Sequence, residues 1–421
     1  MTLYFFFSEQ LYDFKIYIYL CSKTTFKSRK SMGKILDYIV KKGEGNYLCY
    51  KTNKVSLNIS DTDVLDYDDK PASTRNKSRI AESDLTLVPT VVIDRMLIDY
   101  SRPIFCFFLD GSRHVYKVDD MAIGKKIFPV LAGQIVVGCC EREDRDTFHP
   151  YETYHKIVIS LPDDFDVDDE GEDFCRLYCD EINEELSKLP YVGEVGIKID
   201  KILLYKTDKK DKFSSDKDNY KNRGTAKIQA EMTDEEQRLV ADLCAHNRLD
   251  DEHYLIKDGS LEYNPSFSNV NRPDKTMLRE NYRYVVGVSK RFDPELLPDY
   301  EGHRLSKTIA NLKPFERTKA YRYTSEANGV QYAVWYLRLR KSDFRETNFS
   351  DVVKCEMVII NEDEQIDTDL INIISANLIN EAYPVCYGND TRWANHLYPV
   401  FLTETFCKSK YYNSDIILNL F

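Results

Sequence analysis

Three runs of β-branched and aromatic residues follow one another closely and most strongly limit what this chain can fold into. They are PIFCFFLD at 103–110, HVYKV at 114–118 and IFPVLAGQIVVGCC at 127–140. Gly and Pro interrupt them, which is typical of strands separated by short connections. The sequence therefore predicts an antiparallel meander of three strands in this region.

The remainder of the chain mixes strand and helix patterns. We predict strands in HYLIKDGSL (253–261) and YRYVVGVSK (282–290), a hairpin of QYAVWYLRLR and VVKCEMVII, and helices in HRLSKTIANL and TDLINIISANLINEA. Another helix is predicted to begin at Thr233, because Glu236 follows three residues later in the spacing of a capping box. The economical fold is α/β, a mixed sheet flanked by helices.

Charge is distributed unevenly along the 421 residues. The net charge is -12, which argues against a protein that holds nucleic acid by bulk electrostatics alone. Residues 161–186 contain twelve acids and one base and so account for -11 of this total. The remaining body is close to neutral and can carry a local basic groove.

The cysteines and the N-terminus bear on the compartment. Eleven cysteines occur without a CxxC pair, which fits neither a disulfide framework nor a zinc ribbon and favours a reducing cytoplasm. The apolar N-terminus is interrupted by Glu9, Asp13 and Lys15, so neither a membrane span nor a signal peptide is expected.

Three regions are predicted from these patterns. Residues 1–31 form an N-terminal tail or extension, or an over-long start before Met32, and residues 32–104 a helical and strand region. Residues 105–421 form the main domain, with a large insertion at about 150–228. This insertion contains the acidic stretch and a Lys-rich segment, 206–227, that is predicted to be a solvated loop. It could dock a partner, act as a flap or be a surface elaboration.

The tripeptide Asp-Gly-Ser occurs twice, beginning at Asp110 and at Asp258, and each copy is predicted to end a strand. Two carboxylates from adjacent strands would point into one place, and their repulsion would favour a divalent cation with oxygen ligands, Mg²⁺ or Mn²⁺. Two such ions could clamp a phosphoryl displacement. The alternative is a simple hairpin turn, for which Asp-Gly is a common dipeptide.

Several segments, taken in order, resemble the NurA nuclease family. They are FFLDGSR (107–113), an acid-bearing helix, YLIKDGSL (254–261), YVVGVSK (284–290), AVWYLRL (333–339), VVKCEMV (352–358) and LYPVFL (397–402). The resemblance covers about Phe105 to Cys407. It implies an RNase H-like core that cuts DNA with Mn²⁺ or Mg²⁺, as a homodimer beside a HerA-like hexameric ATPase.

The resemblance also assigns metal ligands. Asp110 and Asp258 match the two metal-binding aspartates of the family, and Glu236 is the match for its helical glutamate. Glu236 could instead be an ordinary acid near a helix N-terminus. Glu356 matches an acid on a late strand, but it could equally point away from the sheet.

The remaining matches are basic and aromatic. Lys290 matches a lysine that could neutralise the scissile phosphate, or else is an exposed lysine at a strand end. The predicted DNA-contacting residues are Arg113, Lys290 and Arg291, and Tyr398 matches a C-terminal tyrosine.

One position departs from the family pattern. Phe406 stands where the family has a histidine near the metals, so either Glu404 or His396 replaces it or the activity is weakened.

The sequence thus predicts a metal-dependent DNA nuclease, a hydrolase of DNA repair or of antiviral defence. The alternative is a catalytically silent RNase H-like scaffold that regulates a HerA-like ATPase. The missing histidine favours the scaffold, whereas the two Asp-Gly-Ser copies favour the enzyme.

Overall fold

The structure is a computed structural model that describes most of the chain from Gly33 to Phe421. The described ranges are 33–43, 46–50, 54–57, 80–86, 88–144, 147–165, 171–190, 192–207, 220–262, 275–292, 299–300, 303–325, 328–341, 347–362, 364–385 and 393–421. The predicted N-terminal tail, 1–31, lies outside them.

Strands form the centre of the molecule. They are β1 Tyr47–Tyr50, β2 Val55–Ser56, β3 Thr90–Val92, β4 Phe105–Ile123, β5 Lys126–Arg142, β6 Phe148–Pro162, β7 Lys201–Tyr205, β8 Tyr254–Asp258, β9 Val285–Ser289, β10 Asp299–Tyr300, β11 His303–Arg304, β12 Glu316–Thr318, β13 Tyr321–Thr324, β14 Gln331–Arg338 and β15 Val352–Val358.

Helices flank these strands. They are α1 Lys34–Lys42, α2 Arg95–Tyr100, α3 Glu172–Ser187, α4 Val192–Val195, α5 Tyr220–Ala245, α6 Lys275–Asn281, α7 Leu305–Ala310, α8 Thr368–Glu381, α9 Tyr398–Ser409 and α10 Ser414–Leu420.

Thirteen of the described strands make one mixed sheet, in the order β3-β12-β14-β15-β9-β8-β4-β5-β6-β7. Strands β1 and β2 pair with β4, and β13 pairs with β14. The pairs β4–β8, β8–β9 and β6–β7 are parallel, whereas the neighbours β4–β5 and β5–β6 are antiparallel. The predicted α/β class, a mixed sheet flanked by helices, is therefore confirmed.

The predicted meander is present, but its members were wrong. The runs at 103–110 and 114–118 are one continuous strand, β4, and the meander consists of β4, β5 and β6. The first Asp-Gly-Ser therefore neither ends a strand nor makes a turn. Its residues remain extended because Gly111 and Ser112 are paired with Val137 and Val136 of β5.

The helix predicted to begin at Thr233 begins thirteen residues earlier, at Tyr220. Thr233 lies inside α5, where its hydroxyl donates a hydrogen bond to the carbonyl oxygen of Gln229, 3.1 Å away. Residues 220–227 of the predicted Lys-rich loop are accordingly helical, and 208–219 lie outside the described residues.

Much of the predicted insertion belongs to the main sheet. Residues 150–228 contribute most of β6, all of β7 and the helices α3 and α4. The acidic helix α3 buries Tyr178, Ile182 and Leu186 in an apolar cluster with α1 and α10. No helix of the described ranges has the length and apolar character needed to cross a bilayer.

The two faces of the sheet are covered by different helices. Phe107 and Leu109 of β4 pack in a core with Ile228 and Leu239 of α5. Phe108 lies in another core with side chains of α8 and α9. Because successive residues of a strand point to opposite faces, each residue of β4 is assigned to the α5 face or to the α9 face.

Candidate acid–lysine site

Asp110 and Asp258 lie next to each other on two parallel strands. Leu109 of β4 is paired with Lys257 of β8, and the two aspartates are the next residue along each strand. Leu109 and Lys257 point to the α5 face, so the side chain of the next residue on each strand, Asp110 or Asp258, points to the α9 face. From the sequence we expected two aspartates on adjacent strands to point into one place, and the strands have this arrangement.

Lys290 connects the end of β8 to α9. It directly follows β9, and its Nζ lies 2.8 Å from Oδ2 of Asp258 and 3.3 Å from Oε2 of Glu404. Its side chain is 5% exposed, so it is not the exposed strand-end lysine of the alternative interpretation. Burial alone would lower the pKa of Lys290, but the charges of Asp258, Glu404 and Asp110 raise it above its usual value.

Glu404 approaches the two aspartates from α9, which packs on β4, β5 and β8. It bridges Lys290 inside the site to Lys408, whose Nζ lies 2.7 Å from Oε1 of Glu404 at the protein surface. Burial would raise the pKa of Glu404, but these two ammonium groups lower it to about 2. Nδ1 of His396 lies 4.0 Å from Oε2 of Glu404.

Asp110 differs from the other acids of the site. It is 6% exposed, and its carboxylate has no hydrogen-bond or ion-pair partner among the described residues. Burial and the neighbouring Asp258 raise the pKa of Asp110 well above its usual value. A buried carboxylate without a partner is costly to ionise, which is typical of functional sites.

Glu236 is held on the opposite face of the sheet, on α5. Its Oε2 lies 3.2 Å from Nζ of Lys257, whose side chain alternates with that of Asp258. A Cβ at position 111 would lie 2.2 Å from Oε1 of Glu236, so Gly111 provides the space for this carboxylate. Burial raises the pKa of Glu236, although Lys257 opposes the change.

The second Asp-Gly-Ser forms a fixed loop after β8. Gly259 has a φ of +90°, which a residue with a Cβ adopts only with strain. Glu356 on β15 accepts hydrogen bonds from the Ser260 hydroxyl at 2.8 Å and from the Leu261 amide at 2.7 Å. Glu356 therefore points toward this loop, where it positions the backbone that follows Asp258.

The remaining predicted residues lie around this centre. Tyr398 is half-buried at the start of α9, six residues before Glu404, and so is about 120° away around the helix. Arg113 lies three residues after Asp110 and faces α5, whereas Arg291 is exposed directly after Lys290. Phe406 contacts the region of β5 near Gly138.

The donor atoms of the α9 face suit a hard divalent cation. Carboxylate oxygens are the ligands that Mg²⁺ and Mn²⁺ prefer, and they are offered here by Asp110, Asp258 and Glu404. Of these three acids, Asp110 has no ion-pair partner in direct contact among the described residues. In the described chain, no three acid, histidine or cysteine side chains already stand in a metal-binding arrangement. The ammonium of Lys290 instead lies between Asp258 and Glu404.

Sequence reasoning selected Asp110, Asp258 and Lys290, but it named Glu404 only as one of two possible replacements for a histidine. It missed Lys257 altogether. A signal for Lys257 was present, because the residue before Asp258 must point to the opposite face of the strand. Comparison of the chain with family models and with curated proteins gave no match.

Proposed function

We propose that this protein is a metal-dependent DNA nuclease with an RNase H-like core, similar to the NurA family. The observation that carries the proposal is the pair Asp110 and Asp258, at neighbouring positions on the α9 face of two parallel strands. The buried Asp110 carboxylate without a direct partner and the adjacent Lys290 support it.

The residues of the site have distinct parts in this proposal. The aspartates would hold Mn²⁺ or Mg²⁺, which when bound activates water and offsets charge at phosphorus. Lys290 would stabilise the negative charge that develops on the scissile phosphate. Glu236, a predicted metal ligand, lies on the α5 face, where it would position Lys257, its ion-pair partner.

The partners are proposed on the same basis. A chain of net charge -12 gains little long-range attraction for DNA, so a HerA-like hexameric ATPase would supply DNA to a homodimer of this chain. The acids on the outer side of α3, such as Glu184 and Glu185, are the proposed docking surface. The nine described cysteines are all free, which supports a reducing cytoplasm.

The test is cleavage of DNA by the full chain with Mn²⁺. We expect Asp110→Asn and Asp258→Asn each to lower the rate by at least about 10²-fold, the loss typical for a group that stabilises developing charge. Asp251→Asn, an exposed aspartate before β8, is the matched control and should retain the wild-type rate. Full activity in either site variant would refute the proposal.

A silent scaffold that regulates the ATPase is the second candidate. It is favoured by Lys290 and Lys257, which already neutralise Asp258, Glu404 and Glu236 without any metal. Adding the ATPase separates the two candidates. The nuclease should cut faster with the ATPase present, whereas the scaffold should change ATP hydrolysis and leave DNA intact.

A further inference from the structure

We propose that Glu404, and not Glu236, is the third acid of the cation site, and that Lys290 competes with the cation for Asp258 and Glu404. This inference rests on the proposed metal site and adds to it a ligand and a built-in competitor. The cation belongs to the class of hard divalent ions, for which Mn²⁺ is the probe.

The unpartnered carboxylate of Asp110 is the first observation. It is more than nine-tenths buried, it points to the α9 face, and it has neither an ammonium nor a hydrogen-bond donor in direct contact among the described residues. Such a group is stabilised by a positive charge. Among the three acids of this site, Asp110 is therefore the one that no ammonium of the described residues contacts directly.

The contacts of Lys290 are the second observation. Its Nζ lies within 3.3 Å of a carboxylate oxygen of Asp258 and of one of Glu404. A cation shared by these two acids would need the same oxygens as its donor atoms. An ammonium and a divalent cation repel each other, so both cannot make close contacts with the same carboxylate oxygens. Binding of the ion therefore requires Lys290 to move away from at least one of the two acids.

The placement of the glutamates decides which one is the third ligand. Glu404 lies on α9, on the face to which Asp110 and Asp258 point. Glu236 comes from α5 on the opposite face, where it lies against Gly111 and pairs with Lys257. Glu404, and not Glu236, is therefore the glutamate that lies on the same face as an ion held by both aspartates.

The competition also gives Lys290 two positions. Without the ion, it compensates the acids and keeps their charge buried at acceptable cost. With the ion bound, its ammonium is released from at least one of the two carboxylates and can donate to a phosphate oxygen. The same side chain would thus stabilise the empty site and support the loaded one.

The test measures Mn²⁺ binding to the full chain directly, by the electron paramagnetic resonance signal of free Mn²⁺, without DNA or turnover. Lys290→Met should tighten binding by about tenfold or more, because the charged hydrogen bonds that the ion must break are gone. In that background, Glu404→Gln should weaken binding by about tenfold, whereas Glu236→Gln should change it by less than about threefold.

Lys408→Met is the matched control for the lysine. Lys408 pairs with the same Glu404 but is 56% exposed, so its removal should change Mn²⁺ affinity by less than about threefold. Circular dichroism and the unfolding midpoint verify that each variant is folded. If Lys290→Met does not fold, Glu404→Gln and Glu236→Gln in the wild-type background still test the choice of ligand.

The outcomes separate this inference from the proposed function. Unchanged or weaker binding in folded Lys290→Met, or loss of binding in Glu236→Gln but not in Glu404→Gln, would overturn the inference. If binding then still depends on Asp110, as shown by Asp110→Asn, the proposed metal site stands. Wild-type protein that binds no Mn²⁺ even in the millimolar range would overturn both.

Discussion

The two copies of Asp-Gly-Ser have the same sequence but different backbones. The first copy is extended inside the 19-residue strand β4, and the second is a loop that follows β8. Both nevertheless present their aspartate to the α9 face, because Leu109 and Lys257 set the two strands in register. What the two copies share is therefore the face to which their first residue points.

The two glycines differ in why they are needed. Gly111 is extended and has no side chain because the Glu236 carboxylate occupies that space. Gly259 has a φ of +90°, which the loop requires whatever the surrounding space. The comparison shows that an identical motif can be fixed once by packing and once by backbone conformation.

The largest expected effect is a loss of stability on removing Glu356, which holds the loop copy of Asp-Gly-Ser and does not contact the strand copy. Glu356→Ala removes the acceptor for Ser260 and Leu261 and also removes the buried carboxylate that lies 2.8 Å from the ammonium of Lys354. We expect the free energy of unfolding to fall by about 3–5 kcal/mol, the cost of breaking a buried ion pair. Urea denaturation measures it, with the exposed Glu152→Ala as control. A loss below about 1 kcal/mol would mean that Glu356 does not hold the loop.

The next effect compares the glycines through a double-mutant cycle. Gly111→Ala and Gly259→Ala should each cost about 1–3 kcal/mol, the first by overpacking and the second by backbone strain. Adding Glu236→Ala should relieve the first cost by at least about 0.5 kcal/mol and leave the second unchanged. Urea denaturation of the single and double variants gives the coupling. Equal coupling for both glycines would remove the distinction.

The smallest effect concerns the two aspartates. The folded pKa of Asp110 is raised, so its ionised form opposes folding at neutral pH, and stability is regained as the pH falls through that raised value. Asp110→Asn should therefore have a higher unfolding midpoint than the wild type at pH 7, and this difference should vanish toward pH 4. Thermal unfolding followed by circular dichroism measures it. Asp258→Asn, which deprives Lys290 of a partner, should be destabilising instead.

The sequence pointed to the two aspartates because each begins an Asp-Gly-Ser copy in a segment with a strand pattern. It wrongly divided β4 because Gly111, Ser112 and Arg113 interrupt its apolar run. Their extended conformation depends on hydrogen bonding to β5, which is a tertiary interaction and leaves no local pattern. It also placed the start of α5 at Thr233, although Ile228 and Met232 already lie at helical spacing with Leu239.

The choice between Glu236 and Glu404 could not be made from the sequence. Both are acids on amphipathic helices, and only the packing of α5 and α9 on opposite faces separates them. Lys290 was selected through resemblance alone. Its contacts with both Asp258 and Glu404 result from the order of β8 and β9 in the sheet and from the position of α9.

Because β4 is long, residues far from the site can influence the position of Asp110. About 40 Å of continuous strand joins Asp110 to Ile123, whose neighbours pack with α1, α3 and α10. Substitutions in that distant cluster that shift the strand would misplace Asp110 without touching it. A screen for variants that lose the proposed nuclease activity would then recover positions there, and their distance from the carboxylates would be no reason to discard them.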